Sequence, residues 1–471
     1  MLKCSTAFDQ ERTWMRGKRL ALSSLVCLGR HTLTGMICAS ARQDDDWSAD
    51  YRLFSQGRFD PDVIFGVVRR SVGEHLTPGA PFEAAIDDTG LRKTGTKIPG
   101  VSYRRDPMSP PFRPNFVRAQ RMLQISACLP SGHGACHART VPIDFVHAPT
   151  AKKPRKPTPE QQREYNEAKK EFNLSRQAAA RIIKLRENMD TDESNQNREL
   201  WISGDGSYTN GNVLKHLPDR TVFIGRIRGD AKLYHPPETS NNNAKGRKAS
   251  YGERAPTPEE IRKDEGIEWQ TVEVWAAGKV HQTRIKVTGP LMWRSAGANI
   301  KMNLIVIAPL GYRTRKGSRI LYRQPAYIVC TDTRAPAEKV LQAYFRRWGI
   351  EVNFRDEKQI IGIGEAQVRS ASSVELVPTF FVAVYAMLLL AGFRAFSNKT
   401  TPDTIPPPKW MRNHNKVMPS TQDYVSMLRN EMWGELFKEM SFSGFAQLDQ
   451  HDAKAENYMP QLAPALLYAI K

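Results

Sequence analysis

The sequence predicts an α/β protein, a mixed sheet flanked by helices, interrupted by an antiparallel β insertion and preceded by a helical N-terminal region. Three observations carry this reading. The segments FEAAIDDTG and LWISGDG are short apolar runs that end in acids and glycine, as buried strands do. Between residues 270 and 332, the runs TVEVWAA, TRIKVTG, MNLIVIAP, RILYRQ and AYIVCTD follow one another at the spacing of antiparallel strands. Helical patterns flank both groups, among them the uncharged run Leu376 to Phe393.

Composition narrows the class. With 471 residues, 40% apolar and 25% charged, the chain can bury more than one core, which excludes wholesale disorder. Its 69 Lys and Arg against 49 Asp and Glu give a formal charge of +20, which favours a polyanionic partner, nucleic acid above all. The six cysteines, Cys4, Cys27, Cys38, Cys128, Cys136 and Cys330, form no C-x-x-C pair. That speaks against a disulfide framework or a zinc ribbon and fits a reducing compartment. Asp9 and Glu11 precede the apolar stretch Leu20 to Leu28, so the layout of a secretory signal is missing and a cytoplasmic location is expected.

Residues 1–76 read as a helical basic region, with Trp14, Leu20, Leu22, Leu25, Val26 and residues 63–68 among Arg and Lys. This is a candidate DNA-end-binding module, weighed equally with a helical cap on the next domain. Residues 77–234 form the first part of the core. FEAAIDDTG is followed by MLQISACLP and RTVPIDFVH, which read as neighbouring strands. The loop between them holds His133, Cys136 and His137, three potential metal ligands for which a solvated hairpin is the stronger reading. Lys152 to Arg186 carries eleven Lys or Arg against four Glu, a basic arm entering a helix and a candidate for phosphate contacts. LWISGDGSYTN then reads as strand, tight turn and helix start with Asp205 at the strand's end, and TVFIGRIR as another strand.

Residues 235–332 are expected to be a Pro-, Asn- and Gly-rich mobile loop followed by the β insertion. Residues 333–399 form the second part of the core, opening with a strong helix from Ala337. The run Leu376 to Phe393 reaches the lower limit for crossing a membrane, but Pro378 and Thr379 within it favour a helix buried on all sides. Residues 400–471 are a tail containing PPPKW, to which no role attaches.

The chemistry is densest in QAYFRRWGIEVNFRDEK. Tyr344, Arg347, Glu351 and Lys358 are spaced i, i+3, i+7 and i+14, which lays a phenol, a guanidinium, a carboxylate and an ammonium along one helix face. At about 1.5 Å per residue, Lys358 lies roughly 10 Å from Glu351, a span of one or two nucleotides. Such a carboxylate is either an ion-paired structural group or a ligand for a hard cation. Asp88 and Asp205, each at a strand end beside glycine, shift the balance toward three acids that converge on divalent metal.

These four residues match the YREK signature of DDE insertion-sequence transposases, whose catalytic core is RNase H-like. IDDTGLRKTG resembles the family's first acidic motif and points to Asp88, with Asp87 as close competitor; GDGSYTN resembles the second and points to Asp205. Asp356 and Glu357 rival Glu351 as third acid, but only Glu351 keeps the register of the signature. The resemblance runs from about Phe82 to Phe396. It implies that Asp88, Asp205 and Glu351 bind two Mg²⁺ or Mn²⁺ ions and catalyse cutting at the element's end. The freed 3′-hydroxyl then attacks DNA, in some relatives through a hairpin on the element end. Tyr344, Arg347 and Lys358 would hold terminal phosphates. Tyr327 stands where relatives stack a flipped base on Trp, with Trp293 as second choice and a buried sheet Tyr as the plain alternative. The implied partners are terminal inverted repeats, target DNA and a second copy of the chain.

Other chemistries lack support. GLRKTGTK puts Thr96 before Lys97, the reverse of a P-loop, and no G-x-S-x-G or H-E-x-x-H occurs. GIGEAQ is too short for a dinucleotide fingerprint. A DNA-binding protein of transposase descent that no longer cuts is the alternative from another class.

Overall fold

The computed structural model describes residues 2–106, 109–110, 112–130, 138–237, 249–276, 279–296, 299–315, 317–396 and 418–433. His133, Cys136 and His137, PPPKW and residues 434–471 lie outside them. The N-terminal helices are α1 (Glu11–Val26), α2 (Leu33–Ala39), α3 (Ser48–Ser55) and α4 (Pro61–His75). α4 starts where its sequence dictates: Asp60 accepts from the Asp62 N–H, and Pro61 fills the first turn, where its missing donor is not needed. In α1, Arg16 and Arg19 both pair with the buried Asp50 of α3, so these two cations serve internal packing.

The sheet begins with β1 (Phe82–Arg92), β2 (Ser102–Arg105), β3 (Phe116–Pro130) and β4 (Ala138–His147). β3 runs antiparallel to β1 and carries both β2 and β4 along its other edge. The basic arm becomes α5 (Pro159–Glu171), opened by a capping box between Thr158 and Gln161, and α6 (Leu174–Asp190). β5 (Leu200–Gly204), α7 (Gly211–Leu214) and β6 (Thr221–Ile227) follow, with β5 parallel to both β1 and β6. A meander of antiparallel strands whose first strand is followed by the parallel strands β5 and β6 is compatible with an RNase H-like DDE fold.

After the short helix α8 (Pro258–Lys263) come β7 (Gln270–Ala276), β8 (Lys279–Met292), β9 (Lys301–Ile307), β10 (Gly311–Tyr312), β11 (Leu321–Tyr322) and β12 (Ala326–Cys330). These strands are antiparallel, as the sequence suggests, but most of them do not form a separate layer. β12 hydrogen-bonds to β6, and the order β2-β3-β1-β5-β6-β12-β9-β8-β7 is one sheet. The expected strand RILYRQ shrinks to Leu321–Tyr322, which pairs only with β10.

The chain closes with α9 (Ala337–Arg346), α10 (Trp348–Gln359), α11 (Ala371–Phe396) and α12 (Thr421–Trp433). On one face of the sheet, Ala85 of β1 packs against Ile350 and Phe354 of α10, and α9 covers Trp201, Val222 and Ile328. Alternate residues, including Ile86 and Ile202, share the main core with Ile182 of α6 and Tyr208.

α11 passes a length and apolarity test for a membrane span, yet 83% of its apolar window is buried within the fold. Phe380 packs edge-on against Phe54, and Ser372 donates to the Phe54 carbonyl, so the N-terminal helices wrap around α11. Pro378 has no N–H for the Val374 carbonyl four residues earlier. The buried Gln120 of β3 replaces it, its Nε2 lying 2.7 Å from that oxygen. The helix therefore continues through its proline.

Candidate active site

β1 and β5 run parallel with Ile86 beside Gly204 as the last pair of their register, so Asp87, still in β1 opposite Gln124 of β3, and Asp205, in the turn after β5, follow at the same level. Such carboxyl ends of parallel strands form the crevice where α/β sheets bind ligands. Asp205 is fixed by the turn that follows it. Its Oδ1 accepts the Ser207 N–H at 2.7 Å, and its carbonyl accepts from Thr209 Oγ1 at 2.9 Å. Tyr208, three residues on, is fully buried and its hydroxyl donates to Asp88 Oδ1 at 2.9 Å, tying the loop of the second acid to β1.

The signature segment departs from a single continuous helix. α9 ends at Arg346 and α10 starts at Trp348, with tighter hydrogen bonds at the junction: Arg347 N–H to the Tyr344 carbonyl at 3.2 Å and Ile350 N–H to the Arg347 carbonyl at 3.0 Å. The junction lies hard against β4. A Cβ on Gly349 would stand 1.8 Å from Thr140 Oγ1, so only glycine allows this approach. Arg346 anchors the end of α9 through Glu83 of β1, with Nη1 at 2.8 and 3.0 Å from its two carboxyl oxygens.

Arg347 is the centre of the site. Its guanidinium lies 3.4 Å from Asp87 Oδ2 and 3.2 Å from Glu351 Oε1, and 5.7 Å from the centroid of the Tyr344 ring. Burial alone would lower its pKa, but the Tyr344 phenol and the charges of Asp87, Glu351 and Asp205 hold it above the ordinary value. Asp87 is pushed up to about 7, first by burial and then by the negative charge of Asp205, with Arg347 opposing. Burial likewise raises the Tyr344 phenol.

Asp88, the sequence reading's first choice over Asp87, does not pair with Arg347 as Asp87 and Glu351 do. Successive strand residues point to opposite faces, and it is Ala85 and Asp87 that share the face of α10. Asp88 turns toward Tyr208, with Arg121 and Arg104 as its cationic neighbours and Asp205 only a minor influence. Its pKa is raised by burial, against the Tyr208 hydrogen bond and the two arginines. Tyr327 is the buried sheet tyrosine, the plainer of its two readings. It is 6% exposed in the main core, its hydroxyl donates to Glu259, and no face is open to a base. Trp293 is half-buried against the same core. Lys358 lies one turn beyond Phe354 with its Nζ 5.9 Å from that ring centroid, and partial desolvation there lowers its pKa while Glu357 and Asp88 oppose.

Of the rival acids, Asp356 accepts from Thr421 of α12 at 2.7 Å and serves packing. Glu357 is completely buried beside Gln124, the residue opposite Asp87 on β3, and neither of its carboxyl oxygens has a hydrogen-bond partner among the described residues. Burial pushes its pKa up to about 8. The sequence shows Tyr208 and Glu357 inside quoted motifs, but their roles depend on which face each strand and helix presents.

Residues 2–289 match the family model described as DDE superfamily endonuclease. The chain belongs to the DDE superfamily of endonucleases. The match covers β1 and the loop of Asp205, and it ends before Glu351. No curated protein matches the chain. Membership makes this endonuclease a transposase-type enzyme with DNA as substrate, in a family that typically uses divalent metal.

The donor chemistry fits such a metal. Asp87, Asp205 and Glu351 offer only hard oxygen donors, and the upward push on Asp87 by Asp205 marks two carboxylates short of positive charge. As the side chains lie, Arg347 bridges Asp87 and Glu351, and among the described residues no three His, Cys, Asp or Glu stand close enough together to hold an ion.

Proposed function

We propose that this DDE endonuclease is a transposase that cuts at the ends of its element and joins the freed ends to target DNA, with Asp87, Asp205 and Glu351 as its acids. The observation that carries the reading is their common partner: Asp87 and Glu351 both pair with the Arg347 guanidinium, and the Asp205 charge also reaches it, where the parallel register of β1 and β5 ends. Asp87 replaces Asp88 because it faces α10. Asp88, held by Tyr208, is a positioning residue that fixes the loop of Asp205.

Asp87, Asp205 and Glu351 would hold Mg²⁺ or Mn²⁺, which supplies activation of the attacking hydroxyl and charge neutralisation on the scissile phosphate. The chain's own residues supply alignment. Arg347, oriented over Tyr344, presents a fork suited to a phosphate beside the scissile one. The Tyr344 phenol, kept protonated by burial, is available as a donor at neutral pH. Lys358 adds a point charge farther along α10, so the YREK residues act as a ruler bent at Arg347 rather than a straight stripe. Two copies would bring two element ends together before strand transfer.

The test is cleavage of a plasmid carrying the DNA that flanks the gene, in Mg²⁺ or EDTA, by wild type and Glu351→Gln. Cutting that needs Mg²⁺ and falls at least about a thousandfold in the variant supports the reading, a loss of about 4 kcal/mol in transition-state stabilisation. Undiminished cutting by Glu351→Gln removes Glu351 from the mechanism. Binding with no cutting by wild type favours a non-catalytic DNA-binding protein.

A further inference from the structure

Beside the loop of Asp205 lies an open cleft of about 490 Å³, lined by Asn166, Lys169, Lys170, Asn173, Arg176 and Asn212. Its walls are three cations and three amides, with no carboxylate. Farther along α6, Arg181 pairs with Asp144, Lys184 with Asp62 and Arg186 with Asp190. Among the described residues no ion pair neutralises Lys169, Lys170 or Arg176. The amides are biased the same way. Asn173 spends its acceptor on the Arg176 N–H as the cap of α6, and Asn166 accepts from Gln162 at 3.0 Å, which leaves their NH₂ groups as donors. A ligand made only of acceptors and negative charge suits such walls.

The cleft is joined to the acid-bearing loop. Ser175, between Asn173 and Arg176, donates to the Ser207 carbonyl at 3.0 Å, and Asn210 donates to Ser175 Oγ at 2.9 Å. Ser207 in turn donates its N–H to Asp205. No aromatic ring lines the cleft, so it lacks the stacking platform of a single-strand site. Its volume exceeds that of a single phosphate group several-fold.

We propose that this cleft of α5, α6 and α7 holds the phosphodiester backbone of duplex DNA next to the stretch that reaches Asp205. The inference takes the location of the acids from the proposed function, but its test does not use cutting. Binding of a fluorescein-labelled 30-base-pair duplex of random sequence to the full chain is followed by anisotropy in EDTA, from about 50 to about 200 mM salt. The variants are Lys169→Ala, Lys170→Ala and Arg176→Ala combined, and an equal charge loss elsewhere, Lys263→Ala, Lys279→Ala and Lys301→Ala combined. All six residues are exposed, so both proteins fold.

Loss of three phosphate contacts lowers the salt slope by about 2.7, so over this range the cleft variant should lose roughly 40-fold less affinity than wild type. The control slope should change by less than about 1. Asn212→Asp, which places a negative charge in the cleft, should weaken binding at least tenfold at about 100 mM salt. Equal slopes for wild type and cleft variant, or an equal drop in the control, overturns the proposal. Binding is read in EDTA, where no cutting occurs, so failure of the catalytic reading and failure of this one give different results.

Discussion

Glu357→Gln should stabilise the protein, by an amount that depends on pH. Glu357 is a buried carboxyl with no hydrogen-bond partner for either oxygen, and the Gln124 Oε1 beside it is also without one. Burial of the carboxyl pushes its pKa from 4.5 up to about 8, against the smaller opposing effects of Gln124 and the Lys358 charge. Below about 4.5 the group is neutral in both folded and unfolded chains and contributes no pH dependence. Between about 4.5 and about 8 the unfolded chain releases the proton and the folded one retains it, so stability falls by about 1.4 kcal/mol per pH unit. Above about 8 both are ionised and the penalty is constant. At pH 7 it amounts to about 3 kcal/mol, undiscounted for screening because the group is fully buried. Glutamine keeps the shape and a donor for Gln124 but cannot ionise. Urea unfolding of both proteins at intervals from pH 4.5 to 8.5 should show a gap near zero at the acid end that grows to about 3 kcal/mol at pH 7. Parallel stability curves for the two proteins would refute the reasoning.

Three further outcomes follow from the packing around the site. Tyr208→Phe removes the only side-chain donor given to Asp88 by the acid loop; it should lower stability by about 2 kcal/mol and cut DNA cleavage while duplex binding in EDTA stays unchanged. Gln120→Leu should cost about 1 to 3 kcal/mol by orphaning the Val374 carbonyl, and Pro378→Ala in that background should recover much of it by restoring the helical N–H; chemical unfolding of the four proteins of this cycle measures the coupling. Gly349→Ala should lower the unfolding midpoint by the equivalent of at least about 2 kcal/mol in thermal melts, because its methyl would overlap Thr140.

Much of the fold was legible because strands announce themselves by local pattern. FEAAIDDTG, MLQISACLP, RTVPIDFVH, LWISG and TVFIGRIR each fall within β1, β3, β4, β5 and β6 or overlap them closely. Local pattern does not say which strands become partners, so the joining of β12 to β6, which makes the β insertion part of the central sheet, was out of reach. The same limit left the choice of Asp87 or Asp88 as first acid open. Asp87 and Asp88 are adjacent in one strand, and the choice between them depends on which face α10 covers, a contact more than 250 residues away in the chain. The spacing of Tyr344, Arg347, Glu351 and Lys358 singled out their segment, but the junction at Arg347 depends on Gly349 meeting Thr140 of β4, which no helical period reveals. At Tyr327 both readings stayed open for a related reason: a tyrosine in an apolar strand presents the same letters whether it faces solvent or core, and the structure places it in the core.

Counting free Mn²⁺ by electron paramagnetic resonance during titration into the protein tests most directly whether Asp87, Asp205 and Glu351 form one site. Wild type and Asp88→Asn should take up Mn²⁺, while Asp87→Asn, Asp205→Asn and Glu351→Gln should each weaken uptake at least about tenfold, the loss of one carboxylate ligand. Uptake abolished by Asp88→Asn and untouched by Asp87→Asn would contradict the account.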